Sequence, residues 1–384
     1  MKLYDKKPLF VLDVGTTNIR VVVFDNNLQE LYSHEQPTRT ASPHPGWQQQ
    51  DPMEILEACK DLIKKAEQHI GGESAKIGIA NQRESVLAWS RATGKPLSEL
   101  ILWSDKRTLS YCEQLKRQGK EEMIRYKTGL TLTPYSSASK IHWLLSNITI
   151  KDYHDLAVGT LDSWLVYKLT GNFYTDYTNA CRTMLYNIHT EHWDKELLEL
   201  FGVSESILPK VTRSRFDFGT YATASTHMSH HIAAVVGDQQ ASMYAAGTKP
   251  GTTKITYGTG IFPMRIIGKN FRLKDDYLTT LAIGNDGEPV YALEGKVENA
   301  APRVSKVFGI NKPAFDKLMI TLAHEAADTV DGLVGEGQVV YVDGGISQNN
   351  DILAEQERLN HIRIKRFSTH HGTALGVAAL IRDF

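Results

Sequence analysis

The sequence predicts an α/β protein of two similar domains facing each other across a cleft, divided near residue 235. Three observations predict it. The chain has 384 residues, more than one hydrophobic core usually serves. Strands ending in polar or glycine-bearing loops alternate with helices whose apolar residues recur at helical spacing. Two strand-turn-strand units with a Gly-Thr tip, "FVLDVGTTNIRVVVFD" at 10–25 and "TTKITYGTGIF" at 252–262, each belong to one half of the chain, a weak internal repeat.

The first half opens with the strands "LFVLDV" and "RVVVFD", then a third at "LQELYSHEQ". A helix covers "DPMEILEACKDLIKKAEQHI", with Asp51 as N-cap and Pro52 at its first position. The strand "AKIGIANQ" follows and ends in the charged cluster "RES". In open α/β sheets, ligands bind beyond such carboxyl ends. The middle reads as mostly helical: "LSYCEQLKRQG", "SASKIHWLLSN", "DSWLVYKLTG" and "DKELLELFGV", where Trp143, Trp164 and Trp193 read as core.

The texture changes near 231. "HIAAVVGDQQASMYAAG" reads as a strand, an acid and a small-residue helix. After the second hairpin come the strand "VYALEGKV", a helix near "PAFDKLMITLAHEAADTV", the strand "QVVYVDGGI", the helix "NNDILAEQERL", the strand "IRIKRF" and the helix "GTALGVAALI". The expected domains are 1–235 and 236–384.

Composition narrows the function. Hydrophobic residues make up 41%, charged residues 23%, and the formal net charge is −1. No global field draws nucleic acid or an anionic membrane, so phosphate binding must come from a local site. Cys59, Cys112 and Cys181 lie far apart without a CxxC pair or metal spacing, which reads as free thiols in a reducing compartment. No apolar run approaches a membrane span. Asp13 interrupts the apolar run of "MKLYDKKPLFVLDVG", so no signal peptide is expected. The expected location is the cytoplasm.

Five loops that each follow an expected strand carry the chemistry: "DVGTTNIR", "NQRES", "VVGDQQ", "YGTG" and "VDGGISQNN". Together they suit phosphoryl transfer, where the protein positions groups and neutralises charge. Two Gly-Thr hairpins can clamp a polyphosphate, since glycine admits a close ligand and turn N–H groups hold anions. Asp13 can hold hydrated Mg²⁺. Asp238 can take the proton of an attacking hydroxyl. Arg83 and Glu84 can bind hydroxyls as donor and acceptor. The glycines of "DGGISQNN" can admit a base or ribose to the backbone. Plainer readings stand beside these: β-turns at the tips, Asp238 as an N-cap, Arg83–Glu84 as a solvated pair, and Gly344–Gly345 as a turn. No GxxxxGK[ST] pattern and no protein-kinase HRD or DFG set is present.

At these residues the sequence resembles the FGGY carbohydrate kinases, and among them the glycerol-phosphorylating branch. The resemblance runs from about 9 to 297 and returns from about 337 to 382. It rests on "GIANQRESVLAWSRATGKPL", "ILWSDKRT", "SWLVYKLTG", "TDYTNACRTMLYNI", "VVGDQQASMYAAG" and "YSSASKIHWLLSN", the last with Ser146 where a larger polar residue is usual. It implies an actin-like, ribonuclease-H-like fold in both domains, with ATP and Mg²⁺ beside a small polyol. Carried over by position, Asp238 matches the catalytic base. Arg83, Glu84, Trp103, Tyr135, Gln239 and Phe262, with Asp238, match the polyol pocket. Asp13 matches the magnesium-linked acid. Thr16, Thr17, Asn18 and Arg20 match the first phosphate loop, Thr259 and Gly260 the second, and Gly345 and Asn349 the adenosine loop. The "NQRE" cluster differs from the His-Gly-Gln cluster usual in xylulokinases and implies glycerol or a similar polyol. Neither nucleic acid nor membrane is an expected partner; a homodimer is compatible with the resemblance and not required by it.

The sequence departs from the family in the expected second domain. Only "NKPAFDKLMITLAHEAADTVDGLVGEG" bridges a gap that normally holds a long insert, and the chain stops at Phe384, short of the usual tail. "VENAAPRVS" has Pro302 and no glycine where the family has a glycine-containing helix start. "TASTHMSHHIAA" replaces the loop that serves sugar-bisphosphate regulation, so none is expected. The resulting expectation is phosphorylation of glycerol to glycerol 3-phosphate by ATP. A catalytically weak polyol-binding relative and a kinase for another sugar, such as a ketose, are the alternatives.

Overall fold

The computed structural model describes residues 7–71, 74–149, 152–224, 226–258, 260–297, 300–309 and 312–382. Its contacts divide the chain after Asp238. One compact unit comprises residues up to Asp238 and those from Val377, and the other is Gln239–Gly376. The expected division stood at 235, and the last turns of the chain were expected in the second half.

The first unit is built on a six-stranded sheet in the order Thr220–Ala222, Ser229–Gly237, Lys76–Asn81, Leu9–Val14, Asn18–Phe24, Glu30–Pro37. Leu9–Val14 pairs antiparallel with Asn18–Phe24 and parallel with Lys76–Asn81. Its apolar residues are buried on both faces, as near-continuous hydrophobic strands require. Phe10, Leu12 and Val14 pack on Leu56, Cys59 and Ile63 of the helix Pro52–His69. That helix starts as expected: the Asp51 carboxylate accepts from the Met53 N–H, and Pro52 occupies the first position. On the strand Lys76–Asn81, a Cβ at Gly78 would lie 2.2 Å from Val377 Cγ1, so the glycine admits the final helix Gly372–Arg382.

The first unit also holds a four-stranded sheet that was not expected: Gln49–Gln50, Leu100–Ile101, Val86–Ser90 and Leu156–Thr160, all antiparallel. It carries the loop that ends at Ser85, directly before Val86–Ser90, and the loop holding Trp103. The middle is therefore helical with interspersed strands. The helices Leu109–Arg117, Ser137–Asn147, Leu161–Thr170 and Lys195–Phe201 coincide with expected segments.

The second unit has its own six-stranded sheet, ordered Leu278–Ile283, Pro289–Glu294, Ile261–Gly268, Thr253–Tyr257, Val339–Asp343, Arg363–Arg366. Thr253–Tyr257 pairs antiparallel with Ile261–Gly268 and parallel with Val339–Asp343. This repeats the first unit: a hairpin whose opening strand takes a later parallel neighbour on its other edge. The internal repeat seen as two Gly-Thr tips is thus a repeat of topology. Ile255, Tyr257, Val340 and Val342 pack on Met319, Leu322 and Ala326 of the helix Lys312–Asp331. Between Glu294 and Val339 the described residues form only the helices Ala300–Val307 and Lys312–Asp331.

Candidate active site

In the first unit, the hairpin tip is closed by Gly15 N–H donating to Asn18 C=O at 3.0 Å. Asp13 and Arg20 are register partners across it, with Arg20 Nη1 3.8 Å from Asp13 Oδ2. Arg20 also holds Glu35 Oε2 through Nε at 3.0 Å and Nη2 at 2.5 Å. The two threonines differ. Thr17 is exposed. Thr16 donates its hydroxyl proton to Gln82 Oε1 at 3.1 Å and accepts from Trp103 Nε1 at 2.8 Å. A hydroxyl has one proton to give, so Thr16 acts here as a joint between the hairpin and Trp103.

The carboxyl end of Lys76–Asn81 supplies the next cluster. Arg83 and Glu84 are 3% and 1% exposed, so they are no solvated surface pair. Arg83 Nε lies 3.3 Å from Asp238 Oδ1, whose side chain keeps 29% exposure. Asp238 opens the helix Asp238–Ala246 directly after the strand Ser229–Gly237. Glu84 has φ +63, a left-handed backbone that costs a non-glycine residue about 1 kcal/mol. The turn directs its carboxylate onto Arg182 Nε at 2.5 Å. The Arg182 guanidinium lies 6.0 Å from the centre of the Tyr135 ring, and that ring meets Trp103 edge-on at 5.5 Å. Trp103 and Tyr135 are both half-buried, and together with Arg83, Glu84 and Asp238 they offer an aromatic wall beside charged hydrogen-bonding groups.

Four residues of this cluster were not singled out from the sequence: Gln82, Ser85, Lys140 and Arg182. Ser85 Oγ donates to Gln82 Oε1 at 3.0 Å and accepts from the Trp103 backbone N–H at 3.1 Å. Lys140 donates to the carbonyls of Pro134, Tyr135 and Ser136 at 2.9, 2.7 and 3.1 Å, which fixes the loop bearing Tyr135. Complete burial pushes its ammonium down to about 8, against the upward pull of Glu84 and Asp105. Lys140 and Arg182 are buried at zero exposure, which such residues almost never reach without partners, and no local pattern in the sequence announces either.

In the second unit, Gln239 is buried and Phe262 is half-buried opposite Thr256 on the hairpin. Thr259 lies outside the described residues. At Gly260 a Cβ would stand 2.7 Å from Val297 C=O and 2.9 Å from Phe262 Cζ, so the turn needs glycine for packing. Gly344 has φ +87, and its Cβ would lie 2.4 Å from Tyr257 C=O; Gly345 is exposed, with nothing within 4 Å of a Cβ. Asn349 caps the helix Asn350–Asn360, its Oδ1 accepting from Ile352 N–H at 3.0 Å. A largely apolar cavity of about 550 Å³ opens here, lined by Gly258, Val304, Phe308, Phe315, Gly345 and Asn349. The Phe308 and Phe315 rings stand 5.8 Å apart at 66°. Glu298, Asn299 and the Pro302 side chain, part of the departing segment "VENAAPRVS", lie outside what is described.

Among the described residues, no group of three or more His, Cys, Asp or Glu side chains is placed to hold a metal. Asp13, a partly exposed carboxylate beside the Gly-Thr turn, fits an ion such as Mg²⁺, which uses one or two carboxylates and takes its other ligands from water and phosphate. All three cysteines are buried free thiols. No helix among the described residues is long and apolar enough to cross a membrane.

Residues 9–245 match the N-terminal domain of the FGGY family of carbohydrate kinases. The chain belongs to this family. This FGGY kinase is 34% identical to a glycerol kinase from Lactobacillus acidophilus, over 98% of its own length and 89% of the relative's. It is 41% identical to a glycerol kinase from Rhizobium meliloti, over 75% and 60%. The first alignment spans 447 positions, more than the 384 residues of this chain, so the relative carries segments this kinase lacks. Its structure is similar to a Plasmodium falciparum glycerol kinase with ADP, with a TM-score of 0.89, 25% identity, and coverage of 97% and 88%. A ligand-bound xylulose kinase from Lactobacillus acidophilus shares the fold at 17% identity, with a TM-score of 0.81 over 98% and 89%. The fold is therefore the expected two-domain, actin-like and ribonuclease-H-like α/β architecture. The protein is an ATP-dependent carbohydrate kinase.

Proposed function

We propose that this kinase phosphorylates glycerol, or a polyol of similar size, at a terminal hydroxyl. One observation supports the reading most: the buried Arg83 and Glu84 adjoin Asp238 on one side and the Tyr135–Trp103 wall on the other, through contacts to Asp238 and Arg182. Paired charges in so enclosed a place suit a small molecule dense in hydroxyls, because a ligand lacking them would leave buried polar groups unanswered. Gln239 and Phe262 are the second unit's candidate contacts for the polyol in this reading.

The Asp238 carboxylate takes the proton of the terminal hydroxyl. That oxygen forms a bond to the γ-phosphorus of ATP, and the bond from the γ-phosphorus to the bridging oxygen breaks. ADP leaves with the electron pair, and Asp238 returns its proton to solvent. Asp13 would hold a hydrated Mg²⁺, which neutralises phosphate charge when bound. Thr17, Asn18 and Arg20 serve the phosphates from the first hairpin, with Thr16 positioned behind them; Thr259 and Gly260 serve them from the second. The nucleoside takes the cavity beside Gly345 and Asn349.

ADP release measured across glycerol, other polyols and ketoses tests the reading. Glycerol-dependent release that Asp238→Asn abolishes is the expected result. Absence of any polyol-dependent rate overturns it. The short connection between Glu294 and Val339 favours two further readings, a polyol-binding relative with little turnover and a kinase for a larger sugar such as a ketose. The same panel separates all three.

A further inference from the structure

Lys254 lies on the strand Thr253–Tyr257 of the second unit and is fully buried. Its ammonium donates to Gln239 Oε1 and, at 2.6 Å, to Thr256 Oγ1. Thr256 passes its own proton to Asp343 Oδ1 at 2.6 Å, and Ser242 Oγ donates to Asp343 Oδ2 at 2.7 Å. The strand register sets this up, with Thr256 opposite Asp343 in the parallel pair. The chain of donors runs one way, from ammonium to hydroxyl to carboxylate. Gly372 closes it, since a Cβ there would come within 2.5 Å of Asp343 Oδ2.

The two ends of this chain are chemically distinct. Gln239 follows Asp238 directly. Asp343 precedes Gly344 and Gly345, which begin the loop beside the apolar cavity. Burying a lysine costs free energy unless strong partners answer it, and an apolar residue of similar length fits a buried strand without that cost. We propose that Lys254 is a positioning residue, holding the Gln239 amide for the polyol through one contact and the Asp343–Gly345 loop for the nucleotide through the other. This rests on the polyol-kinase reading. Hydrogen bonds to a charged group are stronger and more strictly oriented than neutral ones, so one ammonium fixes both sites.

The test uses the full chain and calorimetric binding of glycerol and of ADP, measured separately, so it does not depend on turnover. Lys254→Met weakens both ligands roughly tenfold, the size expected for losing a charged hydrogen bond. Gln239→Leu weakens glycerol alone, and Thr256→Val weakens ADP alone. A Lys254→Met protein that melts cooperatively yet binds both ligands within twofold of wild type, or loses only one, overturns the proposal. If Lys254→Met does not fold, Thr256→Val decides: loss of ADP affinity alone supports the proposal, and any other pattern overturns it. Wild-type binding without polyol-dependent ADP release counts against the kinase reading and leaves this test standing. Wild-type failure to bind either ligand overturns both.

Discussion

Arg83 holds its Nε 3.3 Å from Oδ1 of Asp238, so the guanidinium of one strand end fixes the carboxylate that starts a helix from another. The arrangement orients the proposed base and leaves it partly accessible, which proton transfer from a substrate hydroxyl requires. Asp238→Asn keeps the shape and loses the basic oxygen. It should lower kcat roughly a thousandfold, within the range for general-base removal, while KM for ATP changes little. Arg83→Lys keeps a cation and loses the planar fork; it should raise KM for the polyol roughly tenfold. Initial rates over both substrates check both variants.

Glu84 and Arg182 form a pair with side chains 2% and 0% exposed. Removing Arg182 takes this partner from the buried Glu84 carboxylate, whereas removing both side chains takes the pair away together. Arg182→Leu should cost about 3–5 kcal/mol of stability, and the double variant with Glu84→Leu should recover part of that. Urea unfolding of wild type, both single variants and the double variant reads the coupling. Equal losses for Arg182→Leu alone and in the Glu84→Leu background would refute the pairing as its cause.

These two pairs also show how far the sequence could be read. The hairpins and the helix Pro52–His69 were legible because continuous apolar strands, Asp51 and Pro52 all signal locally. The sheet containing Val86–Ser90 was not, because that strand is buried throughout without alternation and two other strands of the sheet have only two residues each. Arg83, Glu84 and Asp238 were singled out from charged loops that follow expected strands, and the family resemblance then matched them to a polyol pocket and a base. Arg182 was passed over because its partner Glu84 stands 98 residues away, and no local pattern joins them. The left-handed backbone at Glu84 had no signal either, since glycine is the usual mark of such a turn. Thr16 was assigned to phosphate because tip hydroxyls suggest it; only the fold brings Gln82 and Trp103 to that hydroxyl.

Asp162 gives a pH signature away from the site. Burial, with the Asp176 charge second, pushes its carboxyl up to about 7, and Thr175 Oγ1 donates to it at 2.6 Å. A carboxyl whose folded value exceeds its unfolded value near 4 holds its proton more tightly when folded. Its contribution to stability is full below pH 4 and is lost as pH rises through 7. Asp162→Asn mimics the protonated group at every pH. The variant should therefore gain in melting temperature relative to wild type as pH rises from 5 to 8, with little difference at pH 4. A constant offset between the two across that window would rule out Asp162 as the source.

Gly344 and Gly345 are adjacent, and the structure gives their substitutions opposite consequences. Alanine at Gly344 must accept φ +87 and bring its Cβ within 2.4 Å of the Tyr257 carbonyl, whereas alanine at Gly345 meets nothing within 4 Å. Gly344→Ala should lower the melting temperature by several degrees, through backbone strain and a contact with main chain that cannot yield. Gly345→Ala should leave the melting temperature of the unliganded protein within a degree or so. Gly345 lines the apolar cavity, so its new methyl group occupies space assigned to the nucleoside and should raise KM for ATP several-fold with KM for glycerol unchanged. Thermal melts with and without ADP, beside initial rates, separate the two effects. A Gly345→Ala enzyme with wild-type affinity for ATP would place the nucleoside elsewhere.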